Sequence, residues 1–102
     1  MSSSFRSALK ERVLILDGAM GTQLHAADLD LATDYLGLEN CMELIAATRP
    51  DVLRKIHDAY LAAGADVVET NTFGANPLVL GEFGIAERAH ELNVKAARVA
   101  RE

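Results

Sequence analysis

The sequence predicts an α/β fold built from strand-helix units around a parallel sheet, and two observations carry that expectation. The first is a pair of matching strand ends. Val13-Leu14-Ile15-Leu16 runs into Asp17-Gly18-Ala19-Met20-Gly21-Thr22, and Asp66-Val67-Val68 runs into Glu69-Thr70-Asn71-Thr72-Phe73-Gly74-Ala75. Each apolar run reads as a buried strand and stops at carboxylate, amide, hydroxyl and glycine residues, the types that bind small molecules at the carboxyl ends of parallel strands. The second is an amphipathic helix between the two, giving the order strand, long loop, helix, strand. Both tips are expected to face one site.

The elements follow in order. Residues 1–12 are a lead-in, with Phe5, Ala8 and Leu9 at helical spacing, and the first strand covers 13–16. Residues 19–27 are expected to hold a short helix, 28–37 an irregular acidic loop, and 40–47 another helical piece. Such a long connection after a strand is unusual, and long ordered loops tend to be functional. Thr48-Arg49-Pro50-Asp51 is a helix start: Thr48 can cap, Pro50 sits in the first turn where its missing N–H does no harm, and Asp51 suits the positive end of the dipole. Val52, Ile56, Ala59, Tyr60 and Ala63 then form one stripe that ends at Gly64, and the second strand follows over 66–68. After Gly84, Ile85, Ala89, Leu92, Ala96 and Val99 recur at steps of three and four, a further amphipathic helix with no stop signal by Glu102.

Composition narrows the function classes. The chain has 102 residues, enough for at most one modest domain, and 50% hydrophobic with 25% charged residues is the balance of a globular protein. Net charge is −5 with bases and acids interspersed, so no basic surface is offered to phosphate backbones and nucleic acid is not expected as a partner. The start lacks the apolar core of a secretory signal, and no run approaches the roughly 18 apolar residues of a membrane span. A cytoplasmic protein without a membrane partner is expected. Cys41 is the single cysteine, which excludes an internal disulfide and reads as a small buried apolar residue.

Sheet arithmetic points to something larger. Two parallel strands with helices on one side cannot close, and both keep an unpaired edge and an uncovered apolar face. A (β/α)8 barrel of the TIM type takes about 250 residues. Residues 1–102 are therefore expected to be a truncated, partial barrel domain, an N-terminal fragment or excised segment carrying the opening strand-helix units.

The blocks Arg12-Val13-Leu14-Ile15-Leu16-Asp17-Gly18-Ala19-Met20-Gly21-Thr22, Glu39-Asn40-Cys41, Thr48-Arg49-Pro50-Asp51-Val52 with Ile56-His57 and Ala59-Tyr60, and the run from Ala63 to Ala75 occur in order. Together they resemble the start of the homocysteine-binding domain of the cobalamin-dependent methionine synthase family, over about residues 12–102. Related homocysteine methyltransferases that use betaine or S-methylmethionine share the Asp-Gly block and the Gly-Ala-Asp strand, while Glu69-Thr70-Asn71-Thr72-Phe73-Gly74 leans toward the cobalamin-dependent branch.

The resemblance implies methyl transfer from methylcobalamin, regenerated from 5-methyltetrahydrofolate, to zinc-bound homocysteine, giving methionine. Zinc matters because a free thiol, with a pKa of about 8.5, is mostly protonated at neutral pH, and coordination deprotonates it. The family's three zinc-binding cysteines lie beyond residue 102, and Cys41 matches none of them. Zinc is thus expected to be held outside this stretch, with methylcobalamin and folate on other modules, and the segment alone is expected to be inactive and to hold no catalytic residue. The remaining barrel strands and those modules are the implied partners, with homocysteine as substrate.

Asp17 and the backbone of Gly18, Ala19, Met20 and Gly21 match the family's loop that receives the amino-acid end of homocysteine. Asp17 can accept from an ammonium group, and N–H groups in a glycine-bearing turn can bind a carboxylate. The competing explanation is that Gly18 and Gly21 only permit a tight turn. The block fits neither G-x-G-x-x-G nor G-x-x-x-x-G-K-[ST], so it is no phosphate cradle; a G-x-x-G nucleic-acid clamp is formally present, but the net charge opposes it. Glu69 and Asn71 alternate with Thr70 and Thr72 and are expected to share a face at the substrate site, or else to form a buried pair tying strands together.

His25, His57 and His90 form no metal-binding spacing and read as surface or packing residues, as Tyr60 reads as core. Phe73 can wall a pocket or cover the barrel rim. Arg88, Lys95, Arg98 and Arg101 with Glu87, Glu91 and Glu102 read as a solvated face of i,i+3 and i,i+4 pairs. Three functions follow: part of the cobalamin-dependent transferase, a methyltransferase of the same fold with betaine, S-methylmethionine or a bifunctional chemistry, and a small non-catalytic module that binds a metabolite or partner through its strand edges.

Overall fold

Helices dominate the computed structural model, which describes residues 2–101. In chain order they are α1 (Ser2–Glu11), α2 (Gly21–Ala26), a 3-10 turn at Met42–Leu44 that continues into α3 (Ile45–Thr48), α4 (Pro50–Ala62), α5 (Pro77–Glu82), and a second 3-10 turn at Ala86–Arg88 that continues into α6 (Ala89–Arg101).

The two predicted strands do not form as strands. Residues 13–16 and 66–68 lie side by side as extended segments that meet at one parallel bridge, Leu16 with Val67. Ile15 O accepts from the N–H groups of Asp66 and Val67 at 2.7 and 3.1 Å, and Asp17 N–H donates to Val67 O at 2.9 Å. Asp66 clamps the pair from below: its carboxylate accepts from Ile15 N–H and from the Arg12 guanidinium, both at 2.9 Å. Those two contacts, the backbone N–H first, hold the Asp66 carboxyl below its ordinary range. The parallel direction is as predicted, but a two-stranded pair without neighbours or cover is marginal. Val13, Ile15 and Leu16 are 85, 58 and 56% exposed, which is the physical reason the ladder stops at one rung.

The long connection is ordered by its own acids. Asp30 Oδ1 accepts the N–H groups of Ala32 and Thr33, and Asp34 Oδ2 accepts Asp30 N–H at 2.8 Å and meets Arg49 at 3.4 Å. Thr48 does not cap α4; its hydroxyl donates to Asp34 O and ties the helix start to this loop. Arg49 occupies the cap position and pairs with Asp51, while Pro50 takes the first turn as predicted.

On α4 the buried arc is Leu53, Ile56 and His57, with Val52 and Tyr60 half-buried and Ala59 and Ala63 exposed. The predicted stripe is therefore rotated by about one position. α4 packs against α3 and α6 on one side and α2 on another, so its covered arc is set by two sets of neighbours. Gly64 ends it at φ +114°, a conformation that favours glycine. Helix α5 lies in a stretch for which no helix is predicted; Asn76 caps it through Oδ1 to Val79 N–H at 2.9 Å, and Pro77 opens it.

Two apolar clusters hold the helices together. Leu24, Ile45, Ala46, Leu53, Ile56, Ala96 and Val99 join α2, α3, α4 and α6. Cys41, Leu44, Leu80 and Leu92 form the second beneath α5 and α6, where burial pushes the Cys41 thiol up. The predicted stripe on α6 holds: Leu92, Ala96 and Val99 are buried, with Ile85 and Ala89 half-buried beside them. Arg88, Glu91 and Lys95 form the predicted pairs on its outer face.

Candidate functional site

The parallel register of the extended segments brings their tips together. Once Asp17 N–H is committed to Val67 O, the side chain of Asp17 reaches the backbone of the second tip, and its Oδ2 accepts Glu69 N–H at 3.1 Å. The other carboxylate oxygen has no partner among the described residues. The N–H groups of Gly18, Ala19, Met20 and Gly21 likewise donate to nothing among the described residues. The first tip thus offers one carboxylate oxygen and a run of free N–H groups, which suit an ammonium and a carboxylate respectively.

This loop is held from α4. Tyr60 is half-buried against the first apolar cluster and its hydroxyl donates to Ala19 O at 2.6 Å. Its ring lies under Gly18, where a Cβ would stand 3.2 Å from the hydroxyl oxygen. Gly21 rests on the Met42 thioether, at 3.5 Å from an added Cβ.

The second tip is held from the long connection. Asn71 is 8% exposed and donates through Nδ2 to Met42 O at 2.7 Å, whereas Glu69 is exposed. The two therefore do not share a surface: the segment is not a regular strand past Val68, and strict alternation lapses. Thr70 and Thr72 do meet, hydroxyl to hydroxyl at 2.7 Å. Glu43, 9% exposed, accepts Gly74 N–H at 3.1 Å. Gly74 has no room for a side chain, since a Cβ would sit 2.9 Å from Val79 Cγ1 and 3.0 Å from Glu43 Oε2. Phe73 is fully exposed and walls no pocket among the described residues.

Asp17 thus reaches the backbone of Glu69 directly, Gly18, Ala19, Met20 and Gly21 continue from it along the first tip, and Asn71 is buried against Met42 O. Sequence reasoning missed the residues that do the holding. Met42 touches both tips, by its thioether at Gly21 and its carbonyl at Asn71. Glu43 had a legible signal, being a lone acid inside Cys41-Met42-Glu43-Leu44-Ile45. His57 is 3% exposed, and neither ring nitrogen has a hydrogen-bond partner among the described residues. Burial lowers its pKa, against the opposing pull of the Asp17 and Asp58 charges.

No three His, Cys, Asp or Glu side chains among the described residues converge into a metal site, so these residues do not by themselves fit zinc. None of the described helices is long and apolar enough to cross a membrane. The shallow groove between α4 and α6, lined by Pro50, Asp51, Arg54, Lys55, Asp58 and Val99, lies away from both tips.

Comparison with known proteins gives concordant results. The family model for homocysteine S-methyltransferase matches residues 14–102. A methionine synthase of Mycobacterium tuberculosis is 56% identical over 93 residues, covering 91% of this chain and 8% of that protein. A methionine synthase of Mycobacterium leprae is 52% identical over 93 residues, with the same coverage. The chain spans less than a tenth of the length of these relatives.

Proposed function

Because the chain belongs to the homocysteine S-methyltransferase family, we propose that it supplies part of the homocysteine pocket of a methionine-forming methyltransferase. The observation that carries this reading is the meeting of the two tips, with one open Asp17 oxygen beside the free N–H groups of residues 18–21. In this reading Asp17 accepts from the substrate ammonium, and the Gly18–Gly21 backbone binds its carboxylate. Glu69 borders the site and Asn71 fixes the second tip from below.

The extended segments 13–16 and 66–68 are, in the same reading, the first two strands of a (β/α)8 barrel whose other strands cover Val13, Ile15 and Leu16. Zinc, when bound by thiolates outside these residues, would supply a deprotonated substrate sulfur; the described residues do not hold it. The relatives' identity as methionine synthases supports methylcobalamin as donor, carried with folate on other modules, over betaine or S-methylmethionine. A cytoplasmic setting accords with that activity.

The test is homocysteine binding by the complete chain that contains this segment, measured calorimetrically beside its zinc content. Asp17→Asn is expected to weaken homocysteine by about tenfold or more, the scale of a lost charge-assisted hydrogen bond, with zinc unchanged. Equal affinity in the variant would remove Asp17 from the site, and no homocysteine binding by the unaltered chain would end the proposal.

A further inference from the structure

The second tip is gripped at three points from elsewhere in the chain. Asn71 Nδ2 donates to Met42 O at 2.7 Å, the Glu43 carboxylate accepts Gly74 N–H at 3.1 Å, and Asn93 of α6 donates to Ala75 O at 2.7 Å. Met42 and Glu43 are consecutive, so one short turn receives two donors from the tip. The contact from Glu43 is the unusual one. The residue is 9% exposed and has no cationic partner within 4 Å among the described residues. Burying a carboxylate without a cation is costly, and an apolar side chain of the same length would serve packing better. What the acid gains is one backbone N–H, and Gly74 leaves room for the approach: an added Cβ would stand 3.0 Å from Oε2.

The other end of the same tip meets the first one. Glu69 N–H donates to Asp17 Oδ2 at 3.1 Å, so the course of residues 69–74 bears on where that carboxylate is held. Between these two anchors the chain makes a tight turn, Thr72 N–H to Thr70 O at 2.9 Å, and among the described residues no strand ladder fixes it independently.

We propose that Glu43 is a positioning residue for homocysteine: by holding Gly74 N–H it sets the course of residues 69–74, and through Glu69 N–H the direction of the Asp17 carboxylate. This rests on the homocysteine reading above and deepens it, adding a residue from the long connection to those that decide affinity. Glu43 acts on the substrate through the second tip and not by contact.

The experiment uses the complete chain and compares Glu43→Met, which keeps length and bulk but offers only a weak acceptor, with Glu43→Gln, whose amide oxygen can still take Gly74 N–H. Methionine is expected to raise the KM for homocysteine by about tenfold, with kcat at saturating homocysteine changed much less, as loss of a substrate-orienting contact does. Glutamine is expected to recover most of that loss. A wild-type KM in Glu43→Met would overturn the proposal, since the contact would then serve stability alone. So would a raised KM that glutamine does not recover, because the accepted hydrogen bond would not be what matters.

If the methionine variant does not fold, a structure of the unaltered complete chain with homocysteine decides. Gly74 N within about 3.3 Å of a Glu43 oxygen, with Glu69 N still as close to Asp17, supports the proposal, and a longer separation at either contact overturns it. Homocysteine binding by the unaltered chain separates the two failures. Where it binds and Glu43→Met is indifferent, only the role of Glu43 falls; where it does not bind, the pocket and the role of Glu43 fall together.

Discussion

At the residue scale, the two tips differ in what fixes them, and the difference sets the cost of changing each. Gly74 is locked between a carboxylate and a branched side chain, so Gly74→Ala must move Val79 or break the Glu43 contact. A loss of about 1–3 kcal/mol is expected from such overpacking, read as a lower denaturation midpoint of the complete chain. Tyr60→Phe removes only the hydroxyl that meets Ala19 O, at a cost of about 1 kcal/mol, the net worth of one hydrogen bond. Its sharper consequence is expected in homocysteine affinity, because the freed carbonyl belongs to the loop proposed to hold the ligand. Stability lost without any change in affinity would show that Tyr60 serves the core alone.

Elements differ in how plainly the sequence announces them. Helix α6 was legible from its three-and-four spacing because one face is covered along its whole length. The buried arc of α4 lies about one position from the stripe its spacing predicts, since burial there answers to several neighbouring helices that spacing does not reveal. Helix α5 carries both signals of a helix start, Asn76 as cap and Pro77 after it, and Asn76→Ala is expected to cost about 1 kcal/mol, measurable as a lower melting temperature. The site loops are legible as strand ends, yet the strands proper do not form, because a continuous apolar run foretells burial that only further strands can supply. What the sequence could not show was the support from Tyr60 and Met42, which depends on long-range placement.

The outer face of α6 adds a pH effect. Hydrogen bonds from Arg88 and then Lys95 lower the Glu91 pKa from 4.5 to about 2. A carboxyl depressed in the folded state favours folding above its unfolded pKa and loses that contribution as pH falls through the folded one. Glu91→Gln is therefore expected to flatten the stability profile between pH 4.5 and about 2, seen in acid denaturation of the complete chain. Because Glu91 is on the surface, high salt is expected to narrow the gap between variant and wild type.

Taken whole, the described residues are a set of helices around two apolar clusters. Val13, Ile15 and Leu16, in the extended segment that leads into the first tip, and Phe73, in the second tip, are exposed apolar residues, as is Leu78 on α5. Residues 1–102 expressed alone are expected to unfold over a broad range, without the single cooperative transition of a complete domain, and to bind a hydrophobic dye. A sharp two-state transition with no dye binding would instead mark an independent unit. The same preparation, supplied with zinc, homocysteine and methylcobalamin, is expected to show no turnover above the uncatalysed rate.

The burial of Cys41 has a practical consequence. With no exposed surface and a thiol pushed up by burial, this sulfur meets an alkylating reagent only when the cluster of Leu44, Leu80 and Leu92 opens. The labelling rate of the Cys41 peptide, followed by mass spectrometry, is therefore a clock for that opening. Run with and without homocysteine, it reads whether binding at the tips alters the opening of the cluster beneath α5 and α6.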